Sequence, residues 1–140
     1  MKLLRLASED WDVLAVLDHR GQCPVVDFLA ELDAPYRAAK EGMLTLLHEV
    51  VPQSGPPRGL PLCRPLGFGL FEFRKQPKGK KLRVVWFYGS GRTIVCTTAF
   101  SKAEMTPRTE IDRSRWLLKH FAEESRRGEI EIIDWEEMNP

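Results

Sequence analysis

Leu70-Phe71-Glu72-Phe73-Arg74, Leu82-Arg83-Val84-Val85-Trp86-Phe87-Tyr88 and Thr93-Ile94-Val95-Cys96-Thr97-Thr98-Ala99-Phe100 decide how the chain folds. Each is rich in β-branched and aromatic residues, the types that suit a pleated, partly buried surface. The links between them, Lys78-Gly79-Lys80 and Gly89-Ser90-Gly91, are short and polar, as hairpin closures are. Three consecutive strands follow from this. Alternation with period two places Glu72 and Arg74 on one face and Phe71 and Phe73 on the other. Arg74 and Arg83 sit in the strands and Lys102 just beyond them, where rigid backbone can aim a row of cations at one anion. The same alternation also describes an ordinary half-solvated sheet, so the strands alone leave both readings open.

Upstream, Trp11 to Leu17 reads as an opening strand that ends at Asp18-His19-Arg20-Gly21. Pro24 suits the first turn of a helix, where its missing N–H costs nothing. Val25, Phe28, Leu29 and Leu32 then recur at helical spacing. Asp33-Ala34-Pro35 breaks that helix, and Tyr36, Met43, Leu47 and Val50 carry a second one. The two helices form a pair that covers one face of the sheet. Pro52 to Pro61 holds four prolines and two glycines and is predicted to be a loop. Downstream of the strands, Thr106 is placed as the N-cap of a last helix and Pro107 at its first position. Ile111, Leu118 and Phe121 form that helix's buried stripe. The expected class is α+β: a small, mainly antiparallel sheet with helices packed on it, in the order β-α-α-β-β-β-α.

The 140 residues suit a single domain over 1–128, with an acidic tail over 129–140 that adds a short strand or folds back. No apolar run reaches the ~20 residues of a membrane span. The basic, apolar start Met1-Lys2-Leu3-Leu4-Arg5-Leu6 meets Glu9, Asp10 and Asp12 before a leader's apolar core can form. Cys23, Cys63 and Cys96 are odd in number and widely spaced, which reads as reduced thiols of a cytoplasmic protein. His19, His48 and His120 show no ligand spacing with them, so no metal site is expected. The formal net charge of +1 hides a segregation. Residues 1–63 hold 6 Lys/Arg against 9 Asp/Glu, residues 64–119 hold 13 against 4, and residues 120–140 hold 2 against 7. A basic middle between acidic ends attracts phosphate locally while the whole stays near neutral.

The order and the residues resemble the RelE/ParE superfamily of bacterial toxins, in particular its HigB-like, phage-derived branch. Leu70-Phe71-Glu72-Phe73-Arg74 is similar to the family's "L-x-E-L-R" strand, and Leu82-Arg83-Val84-Val85-Trp86-Phe87 to its "y-R-v-l-y-f" strand. Phe100-Ser101-Lys102-Ala103-Glu104-Met105-Thr106-Pro107-Arg108-Thr109-Glu110-Ile111 is similar to "F-v-K-K-x-x-x-T-P-x-x-E-I" and is the most specific of the three. The likeness spans roughly residues 11 to 121. It implies a microbial-RNase-like fold and cleavage of mRNA on the ribosome without metal or other cofactor. The expected partners are a cognate helix-turn-helix antitoxin, mRNA and the ribosome, with no membrane.

The resemblance assigns Arg74 and Arg83 to phosphate binding and transition-state stabilisation, since a guanidinium holds two phosphate oxygens and stays protonated. Lys102 matches the first lysine of the family's pair and would clamp the backbone or move a proton. Ala103 replaces the second lysine and Glu104 follows, which takes positive charge from the site. Glu72 is the candidate general base, or else a structural ion-pair partner of Arg74 or Arg83. Tyr88, Lys81 and Arg92 are the candidate RNA contacts, while Trp86 reads as core and His120 as a surface histidine. Two rival functions stand beside the nuclease: a non-cleaving module of the same fold that binds nucleic acid or protein, and a ParE-like toxin directed at gyrase. The acidic tail suggests a further expectation, that it shields the basic site in cis.

Overall fold

The chain opens on a hairpin, where the sequence predicts one strand. In the computed structural model, which describes residues 1–101 and 105–138, β1 (Lys2–Ser8) and β2 (Asp12–Val16) pair antiparallel. Then come α1 (Pro24–Ala30), a single 3₁₀ turn at Ala34–Tyr36, and α2 (Arg37–Thr45). The helix does not stop at Pro52, where a loop is expected. It passes through a π-turn at Leu46–Val50 into α3 (Val51–Ser54). A proline ring presses on the carbonyl four residues before it, and the wide π-turn accommodates that ring. The Pro52 carbonyl accepts the Trp11 N–H at 3.0 Å. Gly55 ends the helix at φ +80°, where a Cβ would stand 2.9 Å from the Trp11 ring.

A further strand absent from the expected order follows, β3 (Cys63–Gly67), antiparallel to β4 (Leu70–Lys75). β5 (Leu82–Tyr88) and β6 (Thr93–Ser101) continue the meander, with the bounds that the sequence gives to within a residue. The last elements are α4 (Arg108–Arg126), β7 (Glu131–Asp134) and α5 (Trp135–Met138).

The result is an α+β fold around a seven-stranded sheet in the order β3-β4-β5-β6-β2-β1-β7. The sheet is mixed, because β2 runs parallel to β6 and β1 parallel to β7. Pro65 lies in β3, at the sheet edge, where a missing N–H breaks no ladder. One face carries Leu4, Val13, Phe73, Val84, Trp86 and Cys96 under α1, α2 and α3. The other carries Leu3, Leu14, Leu70, Val85, Phe87 and Val95 under Leu117 and Phe121 of α4. Burial on both faces makes Val84 to Phe87 a continuous apolar run.

α4 begins one residue later than its sequence suggests. Pro107 is its N-cap, and the Thr106 side chain does not cap it. That hydroxyl is used elsewhere.

Candidate functional site

Glu72 and Arg74 share the α4 face of the sheet, as alternation requires, and Arg74 stands directly opposite Arg83 across the β4–β5 ladder. On the other side of β4, Arg64 of β3 stands opposite Glu72. Two guanidiniums thus approach one carboxylate, and a third arginine stands across the ladder from it. Glu72 Oε1 lies 3.7 Å from Arg74 Nε and 3.8 Å from Arg83 Nε, and Glu72 is only 2% exposed. Its other oxygen, Oε2, accepts the Thr106 hydroxyl from the approach to α4. Two more polar bridges fix this end of α4 on the sheet. Thr98 donates to Glu110, and Thr97, which also donates to the Val85 carbonyl, meets Ser114 at 2.6 Å.

The arginines differ in what they can reach. Arg83 is 3% exposed and tied down on the protein side: Nη1 donates to the Leu82 carbonyl at 3.0 Å, and Nη2 donates to Gln76 Oε1 at 2.7 Å. Burial holds its pKa below the usual guanidinium value; repulsion from Arg74 and Arg64 adds to this, and Glu72 opposes it. Arg74 keeps a fifth of its side chain in solvent. Its Nε is buried with no hydrogen-bond acceptor among the described residues. Arg64 is half-buried at the sheet edge. The cluster carries three positive charges against one negative and has one unsatisfied donor. A dianionic or monoanionic oxygen group fits that deficit.

Of the residues singled out in the sequence, Glu72, Arg74 and Arg83 come together, whereas Tyr88 and Arg92 do not. Tyr88 ends β5 on the opposite, helix-covered face, its ring 5.0 Å from Trp86, 5.4 Å from Phe71 and 6.2 Å from Trp11. Arg92 is exposed in the β5–β6 turn, at the far end of β5 from Arg83. Lys81 is half-buried just before β5. Lys102 lies outside the described residues, with Ala103 and Glu104. Trp86 is core, 1% exposed. His120 Nδ1 meets the Trp116 carbonyl at 2.9 Å, and the His120 ring stacks on that indole. Among the described residues no group of His, Cys, Asp and Glu gathers as metal ligands.

Arg64 and Thr106 are the two contributors that strand reading missed. Gly67-Phe68-Gly69 directly before Leu70 was the available signal, because a glycine-flanked turn there makes Cys63–Gly67 the hairpin partner of β4.

The described residues form no helix long and apolar enough to cross a membrane. A family model described as "Phage derived protein Gp49-like (DUF891)" matches residues 27–119, a span that holds Arg64, Glu72, Arg74, Arg83 and Thr106. Comparison with curated proteins gives no match.

Proposed function

The chain belongs to the Gp49-like family of phage-derived proteins, which is of the general RelE/HigB toxin-like type, and on that premise we propose that it is the toxin of a type II toxin–antitoxin pair that cuts mRNA on the ribosome. The observation that carries the reading is the unsatisfied, buried Arg74 Nε beside Arg64 and Arg83. The partly buried, repelling guanidiniums gain most when a phosphate enters, since an anion removes the mutual repulsion and supplies the missing acceptor.

In the proposed reaction the ribose 2′-oxygen attacks the neighbouring phosphorus and the P–O5′ bond breaks. The products are a 2′,3′-cyclic phosphate and a 5′-hydroxyl. Arg74 and Arg64 bind the non-bridging oxygens and stabilise the charge that grows on them in the phosphorane. Arg83 does not touch the RNA; it and Glu72 hold Arg74 in place. Glu72 is therefore a positioning residue, its two oxygens already engaged by arginines and Thr106. Lys102 remains the proposed proton carrier from its place in the motif.

The same engagement of Glu72 favours one rival, a module that binds RNA without cutting it. Purified protein with a 5′-labelled message, free or on ribosomes, separates the two. The nuclease reading expects cleavage that stops when the ribose at the cut carries 2′-deoxy. Binding with intact RNA would establish the module instead.

A further inference from the structure

The solvent side of α4 carries a feature that the Glu72 cluster does not use. At ~100° per residue, Arg108, Arg115, Lys119 and Arg126 fall within an arc of about 40°, opposite the buried Ser114, Leu117 and Phe121. The row runs over about 27 Å of helix. Arg115 and Lys119 are like charges at i,i+4, a spacing that costs a helix stability. Among the described residues Arg115, Lys119 and Arg126 make no ion pair, whereas Arg108 approaches Asp112 at 3.9 Å.

Aromatic rings accompany the cations. Trp116, 57% exposed, stacks on His120 with ring centroids 3.7 Å apart. Phe68, 62% exposed, is held at φ +58° in the β3–β4 turn, in a region bulky residues avoid. That turn sets its ring 3.8 Å beneath the Arg115 guanidinium. Strain and exposed apolar area are both spent on presenting one cation.

We propose that the outer face of α4, together with the Phe68 turn, is a second RNA-binding surface that holds single-stranded RNA leaving the Arg64–Arg74 cluster. It rests on the nuclease reading and adds to it a separate place for the chain. Cations in a row take successive phosphates, and exposed rings take unstacked bases, the combination by which single strands are held without sequence readout. The length of the row matches a site of a few nucleotides, at the low end of the ~4–16 known for such surfaces. Arg108, at the start of α4, lies two residues from Thr106, so the row begins beside the cluster. An acidic polypeptide would answer the charge but leave Trp116 and Phe68 unexplained.

The test is fluorescence anisotropy with a labelled single-stranded RNA of about twenty nucleotides, 2′-O-methylated throughout so that it cannot be cut. Arg115→Gln/Lys119→Gln/Arg126→Gln should weaken binding between about tenfold and a hundredfold at low salt, and lower the slope of log K against log salt by about 2. Trp116→Ala should weaken binding while leaving the slope unchanged. A triple variant that binds within twofold of wild type, with the same slope, overturns the inference. Wild type that does not bind the probe also overturns it, and cutting of ribosome-bound message, followed in parallel, then decides separately whether the nuclease reading falls too. A cluster variant, Arg74→Ala, should abolish that cutting yet keep most of the probe affinity.

Discussion

Glu72 is the only carboxylate paired with Arg74 and Arg83 among the described residues, and it is buried with Arg83. Glu72→Gln keeps the shape and removes the charge, which leaves buried cations uncompensated. The expected loss is about 3 kcal/mol, read as a lower urea midpoint at unchanged slope; wild-type stability would mean that Glu72 does not hold the cluster. Arg64 is half-buried, so Arg64→Ala should fold normally and lower the cutting rate about a hundredfold, the scale of removing one transition-state donor. A rate within threefold of wild type would remove Arg64 from the site. The thiols give a pH prediction. Burial pushes Cys23 and Cys63 up to about 11, and Cys96 further still. In the unfolded chain these thiols ionise near their ordinary value of about 9. Native protein then binds more protons than unfolded protein, so this stability is whole below about pH 9 and falls as pH rises towards 11. Denaturation midpoints measured across that range should decline, and a Cys23→Ala/Cys63→Ala variant should decline less.

At the scale of elements, β4, β5 and β6 were legible because each is bounded by glycine or lysine links and filled with β-branched and aromatic residues. β3 was not, because Pro65 argues against a strand unless the strand is known to be an edge, and edge position is a property of the assembled sheet. Arg64 was hidden with it. β1 was obscured differently: Leu3 is buried under α4 and Leu4 under the other helices, so both faces read as apolar and no alternation shows. The helix through Pro52 is a third case, in which tertiary contacts with Trp11 outweigh local propensity. β7 adds a prediction of its own. It pairs with β1, Asp134 binds Arg5 at 2.6 Å, and Trp135 lines a hollow with Leu6, Val26 and Leu47. Ending the chain after Arg127 should therefore cost about 2 kcal/mol through lost apolar burial. Unchanged stability would contradict β7's place in the sheet.

Across the whole molecule, the charge segregation seen in the sequence becomes a spatial one. The basic middle supplies the arginine cluster and most of the outer face of α4, while the acidic residues Glu131 and Asp134 sit on the far edge strand, with β6, β2 and β1 between them and β5. Asp134 and Glu131 approach Arg5 and Lys2 there, so these acids answer cations of β1 and not those of the cluster. Shielding of the cluster in cis, an expectation from charge alone, has no support among the described residues. The truncated chain should accordingly bind RNA no better than the full one. An antitoxin supplied in trans remains the proposed source of restraint. Whether the guanidinium cluster cuts RNA decides the proposed function. The most direct measurement maps transcript 5′ ends after induced expression of wild type and of Arg64→Ala/Arg74→Ala in a bacterial host, with growth followed alongside. New 5′-hydroxyl ends and growth arrest in wild type, both lost in a folded double variant, are the predicted result. Arrest with no new ends, or cutting that survives in the double variant, would contradict it.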